Sequence, residues 1–347
     1  MPLRFRRAPL VSLRRIFVPT LLAGLAVISL CFHQLRALAQ NASDQPGEEI
    51  VANLAAGRVV IAVVKDAILI ATVENPFEAQ THPPVPVPLS GERAGVILGA
   101  VDWFSPSSKV QIARLDHDLP RLHGRVKPQG PRLLAGEEGS EATDIEFVGE
   151  GLNDRLNEVV KTLHAKLDLA EGEPLVELVI ADFIPGYGPE VWHVDYSIEQ
   201  FPQRGDFWET RIPRPRYLQD WPPEKNQPHT LLEFDYPPSL TTPTLLEMLR
   251  QKDPRLEKLS NSDPVMASVA SMLLKGISNK VSSADATQFL RAALNAISPP
   301  KARETVATIG FQTGFAWILQ PPNEPKPALQ QKERPAGAPT LLKPSGN

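Results

Sequence analysis

Two apolar runs around a charged dipeptide constrain this chain more than any other feature. Val59–Val64 is unbroken and rich in β-branched residues, Lys65-Asp66 interrupts it, and Ala67–Val73 continues it. Runs of this length that are bounded by a turn are typical of buried strands. The sequence therefore predicts a buried β-hairpin near the start of the folded part of the chain.

Further strands and helices follow in a defined order. A second hairpin is predicted from 85–89 and 94–101 around Ser90-Gly91, and a third from 175–183 and 191–198. An amphipathic helix over 152–167 lies between them, since its leucines and valines recur at three- and four-residue steps. Helices are predicted to begin near Thr242-Pro243, Asp263-Pro264 and Ser282-Ser283, before a last strand over 314–319. Strands grouped in this way indicate antiparallel sheets with helices outside them.

The order of these elements resembles that of proteasome-type N-terminal-nucleophile hydrolases. Residues 57–71 are similar to the opening hairpin of that family, 86–99 to its second hairpin, 175–196 to a later hairpin, and 283–319 to its closing helix and strand. The resemblance implies an α+β fold, a four-layer αββα sandwich of two antiparallel sheets between helices, over 57–320.

The positions that match the family's catalytic residues in this resemblance have other residue types here. The family has Thr, Ser or Cys at the start of its first strand, where the free α-amino group acts as the base. Gly57 and Arg58 occupy that place here. The family's acidic residue falls near Thr72 or Val73, and its lysine falls within 83–88, where there is none. The family's helix between 105 and 150 is not evident from the sequence either.

The N-terminal segment predicts export. Residues 1–39 contain six arginines and no acid, an apolar stretch over 16–32, and Ala37-Leu38-Ala39 before Gln40. These are the three parts of a secretory signal peptide. An uncleaved membrane anchor is the alternative, and Arg14-Arg15 leaves the Sec and Tat routes open. We expect a periplasmic or extracellular protein with a signal peptide over 1–39, a linker over 40–56 and a disordered, proline-rich tail over 321–347.

Composition excludes several classes of function. The only cysteine, Cys31, lies in the signal, so the mature chain has no disulfide and no thiolate metal site. The net charge of −4 becomes −10 once the six arginines of the signal are removed. This acidity argues against nucleic-acid binding. We expect no cofactor and no bound metal, and a membrane association only through an uncleaved signal; the oligomeric state stays open.

Two acid–imidazole groups are the alternatives to a non-catalytic protein. Asp116-His117-Asp118, with His123 nearby, has residue types that ligate zinc. His193 and Asp195 lie two apart on a predicted strand, so they share a face and could form a base with its orienting acid. Either group would make the protein a secreted hydrolase. A surface loop and a structural hydrogen-bonded pair are the simpler interpretations.

A proline- and aromatic-rich insertion over 201–238 is the strongest candidate for binding. Eleven of the 22 aromatic residues fall within 183–236. Trp, Tyr and Arg dominate binding hot spots, so the predicted contact residues are Trp208, Arg211, Arg214, Arg216, Tyr217 and Trp221. The alternative is that these side chains cover a sheet of their own domain. The leading hypothesis is an exported, non-catalytic binding or scaffold protein with a protein partner at 201–238; a structural envelope protein without a ligand is the other alternative.

Overall fold

The predicted first hairpin is confirmed. In the computed structural model, strands β2 (Gly57–Val63) and β3 (Ala67–Glu74) pair antiparallel, and the amide of Val64 donates to the carbonyl of Ala67 at 2.9 Å to close the turn. The structure describes residues 50–74, 81–90, 92–105, 108–122, 143–163, 174–184, 188–203, 208–222, 231–238, 242–300, 302–311 and 313–321. The predicted signal, the turn at 185–187 and all of the predicted tail except residue 321 lie outside these ranges.

The first hairpin is the centre of a five-stranded sheet. Its order is β13-β2-β3-β14-β15, with β13 at Leu232–Tyr236, β14 at Glu304–Gly310 and β15 at Gly314–Leu319. All four pairings are antiparallel. The last predicted strand, 314–319, is therefore confirmed. Its partner β14 was not predicted as a strand, although it joins β15 to the first hairpin.

The second and third predicted hairpins belong to an eight-stranded sheet. Its main order is β12-β9-β8-β6-β1-β4, and β5 and β7 also pair with β6. The strands are β1 (Val51–Ala55), β4 (Thr81–His82), β5 (Val87–Ser90), β6 (Arg93–Ser105), β7 (Val110–Arg114), β8 (Val176–Ile184), β9 (Gly188–Tyr196) and β12 (Arg216–Trp221). Every pairing is antiparallel except that of β1 with β4.

Alternation along β2 shows why this hairpin is apolar at nearly every position. Val59, Ile61 and Val63 pack in the core that contains the eight-stranded sheet, whereas Val60 and Ala62 pack in a second core with the C-terminal helices. Successive strand residues point to opposite faces. A strand covered on both sides therefore needs apolar residues in both registers.

Helices cover the outer face of each sheet. Helices α1 (Leu115–Leu122) and α2 (Thr143–Val160) contribute buried leucines to the core of the eight-stranded sheet. Helices α3 (Leu245–Arg250), α4 (Pro254–Ser262), α5 (Pro264–Leu274) and α6 (Ser283–Ile297), with a 3₁₀ turn at Ser278–Lys280, pack on the five-stranded sheet. The fold is the expected α+β, four-layer αββα sandwich.

The capping signals in the sequence locate the helix starts. Asp263 accepts from the amide of Val265 at 2.8 Å with Pro264 in the first turn, and Ser282 accepts from the amide of Asp285 at 3.2 Å. Gly276, at a φ of 73°, follows the end of α5. Leu274, the last residue of α5, is 40% exposed.

Three expectations need correction. The predicted linker 40–56 contains β1, because the thirteen-residue β6 is too long for β5 alone and pairs with Val51–Ala55 along its second half. The helix that was not evident between 105 and 150 is present as α1 and the start of α2. Helix α4 was not predicted, because Leu256 is its one buried apolar residue.

Candidate functional site

The resemblance places a nucleophile at the start of β2, where the structure leaves no room for a side chain on Gly57. Ala56 is fully buried, and β1 runs directly into β2, so the chain crosses from one sheet to the other at this point. Gly57 has a φ of 153°, and a Cβ built on it would lie 2.0 Å from the carbonyl oxygen of Val73. No L-side chain fits there without moving a strand.

The next residue, Arg58, is engaged by acids. Its Nε donates to Oδ1 of Asp235 at 2.9 Å, and its Nη1 lies 3.6 Å from Oε2 of Glu233. Burial raises the pKa of Glu233, although its carboxylate accepts from the amide of Leu245 at the start of α3. These contacts join β2, β13 and α3, so Arg58 has a structural role here.

The places that match the family's acid and lysine hold an uncharged hydrogen-bonded group. Thr72, fully buried, donates through Oγ1 to the carbonyl of Pro84 at 2.6 Å. Its Oγ1 also lies 2.7 Å from Oγ1 of the buried Thr305. Two hydroxyls and a carbonyl satisfy one another in the space where the resemblance implies a charged pair.

A second cluster, which we call the inter-sheet cluster, joins Glu177, His193 and Asp195. Nε2 of His193 lies 3.0 Å from Oδ1 of Asp195 and 3.5 Å from Oε2 of Glu177. The ring of His193 meets the ring of Phe234 on β13 at 5.1 Å. Since β13 belongs to the other sheet, this contact places the cluster in the space between the two sheets.

The charge around His193 favours its protonated form. Burial lowers the pKa of His193, but Glu177, Asp195 and Asp220 together outweigh it, and the pKa is raised from the ordinary value of 6.5. The side chain is 17% exposed, and those of Glu177 and Asp195 are 8% and 21% exposed. The cluster is thus largely buried but reaches the surface at Asp195. The sequence paired His193 with Asp195 and missed Glu177.

Asp116, His117 and Asp118 do not form a joint site. They lie on helix α1 rather than on a strand, and Asp116 accepts from Nη2 of Arg114 at 2.8 Å. Asp118 accepts from Nε of Arg155 on α2, also at 2.8 Å. His117 is 63% exposed. The carboxylates are held by arginines, so the sequence hypothesis of a metal or hydrolytic site here is not favoured; His123 lies outside the described residues.

Near this helix, an acid that the sequence did not single out lines a small depression together with His82, Arg114 and Asp116. Asp102 on β6 accepts from Asn53 at 3.0 Å and from Gln111, and Nε2 of His82 lies 3.6 Å away. Burial raises the pKa of Asp102, but the contacts from His82, Asn53 and Gln111 outweigh it and leave the pKa lowered. These protein groups therefore stabilise the ionised form of Asp102.

The segment 201–238 divides into a separate hairpin and two sheet edges. Strands β10 (Glu199–Pro202) and β11 (Trp208–Arg211) form a two-stranded sheet of their own, whereas β12 and β13 are edge strands of the two large sheets. Proline is tolerated at such edges because one side of the strand donates no hydrogen bonds.

The six predicted contact residues are divided between the β10–β11 hairpin, strand β12 and the segment between them. Trp208 and Arg211 lie on the β10–β11 hairpin, and the guanidinium of Arg211 lies 4.6 Å from the ring centroid of Phe201. Tyr217 and Trp221 on β12 pack against the main core. The remaining two are Arg214 and Arg216: Arg214 is exposed beside Glu146 and Glu150 of α2, and Arg216 is an exposed residue of β12.

Within the described part of the chain, no helix has both the length and the apolar character needed to cross a bilayer.

Comparison with known proteins gives one kind of match. No protein-family model matches the chain, and no curated protein matches it. Among solved structures, the chain is similar to Anbu, an ancestral beta-subunit, from Yersinia bercovieri, with 12% sequence identity and a TM-score of 0.35 over 76% of this chain and 87% of that chain. The fold assignment stands on the two sheets and the helices described above.

Proposed function

We propose that this chain is an exported, non-catalytic binding protein built on a proteasome-like sandwich. The observation that supports its non-catalytic character is the closed start of β2. A nucleophile of the N-terminal type needs a side chain and a free amine at that position. Gly57 has no room for a side chain, and its amide continues the chain from β1.

The β10–β11 hairpin is the part of the protein that we propose contacts a protein partner. Phe201 is 38% exposed and Arg211 is 57% exposed in its side chain, although the two side chains stack on each other. An exposed aromatic beside an arginine has the composition of an interface hot spot. Glu199 accepts a hydrogen bond through Oε2 from Nη2 of Arg211 at 2.8 Å, so the hairpin surface carries both a negative and a positive side chain.

The base of the hairpin is fixed to α2, which lowers the entropy cost of binding. Asn157 donates to the carbonyl of Ile212 at 3.0 Å and accepts from its amide at 2.9 Å. Ile212 itself is buried. A loop held in place before it binds loses less conformational freedom on docking.

A pull-down comparison tests this proposal. The full-length chain, expressed in its own host, is cross-linked in envelope extracts as wild type, as Phe201→Ser/Arg211→Ser, and as Val265→Ser, which removes an equally exposed apolar residue from α5. We expect a partner that is retained by wild type and by the control but lost from the hairpin variant.

An unchanged set of partners in the hairpin variant would contradict the role of the hairpin. A protein with no partner in any sample would favour the structural envelope alternative. The predicted address is tested separately by sequencing the N-terminus of the exported protein, which we expect to be Gln40.

The hydrolase alternative has one observation in its favour, the 3.0 Å approach of His193 to Asp195. A His–Asp pair can act as a general base. Hydrolysis of a panel of ester and peptide substrates that is lost in His193→Gln would support this alternative over the binding proposal.

A further inference from the structure

Strand register brings the three side chains of the inter-sheet cluster together. Glu177 on β8 lies directly opposite Asp195 on β9, and His193 precedes Asp195 by two residues. Residues directly opposite or two apart share one face of a sheet. All three side chains therefore project into the same space between the sheets.

The distances within the cluster fit ligands of one ion. Two protein atoms that bind the same ion at bond lengths near 2.1 Å, with tetrahedral or octahedral angles, lie about 3.0 to 3.5 Å apart. Nε2 of His193 lies 3.0 Å and 3.5 Å from the two carboxylate oxygens, and one ligand atom from each residue lies within 4.8 Å of the others.

The orientation of His193 is an independent observation. Its Nε2 is buried and has no hydrogen-bond partner of acceptable geometry, even though two carboxylates are near. Neither close contact therefore satisfies the ring nitrogen as a standard hydrogen bond, and a bound ion would give Nε2 a ligand bond instead. A buried polar atom without a partner calls for such an explanation.

The surroundings favour a divalent cation. The carboxylates of Glu177 and Asp195 supply two negative charges, and Asp220 adds a third nearby. Arg216, on the neighbouring edge strand β12, lies directly opposite Asp195 and brings one positive charge to this row of residues. One imidazole with two carboxylates is a ligand set for zinc and similar transition metals, and three protein ligands leave a position open.

We propose that Glu177, His193 and Asp195 bind a divalent transition-metal ion in the space between the two sheets. This inference goes beyond the proposed binding function and does not depend on it. The ion would join β8 and β9 close to β13, whose Phe234 packs against the ring of His193.

Metal titration of the full-length chain tests the proposal. After treatment with a chelator, the protein is titrated with Zn²⁺ by calorimetry and with Co²⁺ by absorption spectroscopy. We expect one equivalent of metal per chain, and a Co²⁺ absorption spectrum that differs from that of the free ion in buffer. Removal of one ligand should weaken Zn²⁺ binding at least about tenfold.

Variants locate the ion. His193→Gln and Asp195→Asn should each weaken Zn²⁺ binding, whereas His117→Gln, at an exposed histidine of α1 that also lies beside an aspartate, should leave it unchanged. Circular dichroism shows whether each variant is folded, and Asp195→Asn decides the matter if His193→Gln is not. No binding by the wild type, or equal binding by a folded Asp195→Asn variant, overturns the proposal.

Discussion

Gly57→Ala should destabilise the protein more than the same substitution at a glycine whose Cβ would meet no neighbouring atom. The φ of 153° at Gly57 is one that L-side chains rarely adopt, and the added Cβ would lie 2.0 Å from the backbone oxygen of Val73. Backbone strain of this kind costs about 1–3 kcal/mol. The contact cannot be relieved by a side-chain rotation, because its partner is main chain.

Gly188 provides a matched control for the backbone effect. It has a φ of 112° at the start of β9, and a Cβ built there meets no atom of the described residues within 4 Å. Gly188→Ala should therefore lose about 1–3 kcal/mol from strain alone. Gly57→Ala should lose this amount plus about 1–3 kcal/mol for overpacking, or about 2–6 kcal/mol in all.

Guanidinium unfolding followed by fluorescence measures both differences. We expect the midpoint for Gly57→Ala to fall below that for Gly188→Ala, and both to fall below the wild type. If Gly57→Ala costs no more than Gly188→Ala, the start of β2 has room for a side chain. The steric argument against a nucleophile at that position would then be refuted.

Two further predictions concern stability. Tyr196→Phe removes a fully buried hydroxyl that donates to the carbonyl of Gly149 at 3.0 Å, and should lower the free energy of unfolding by about 1 kcal/mol in urea; an unchanged value would contradict it. The side-chain hydrogen bond from Arg303 lowers the pKa of Glu74 below 4.5, so this pair stabilises the fold above that pH and loses its effect as the pH falls through the lowered value. Arg303→Gln should therefore cost about 0.2–1 kcal/mol at pH 7, since the pair is partly solvated, and progressively less as the pH falls below 4.5; a cost independent of pH would contradict the assignment.

Local patterns were sufficient where each residue's environment follows from its own strand or helix. The β2–β3 hairpin could be predicted because both of its faces are buried and both registers are apolar. The start of α6 could be predicted because Ser282 and Asp285 bond to each other three residues apart. Neither case needs information from elsewhere in the chain.

Three short strands could not be predicted in this way. β1 and β13 have five residues each and β12 has six, and they lie beside prolines or in the predicted linker, so none contains an apolar run long enough to indicate a strand. They become strands because β6, β9 and β2 offer unpaired backbone groups along an edge. This contribution comes from the neighbouring strand and not from the residues of the short strand itself.

The sequence by itself determined the layered class of fold and the lack of a nucleophile at Gly57. The apolar pattern of each strand and the identity of each residue do not depend on residues distant in the chain. Only the tertiary structure decided that Glu177 meets His193 and Asp195, since an acid within an apolar strand gives no sign of its partner. Those side chains are brought together by the register of β8 on β9 and enclosed by the second sheet through Phe234. Such contacts depend on residues distant in the chain, so they are fixed only when the two sheets pack.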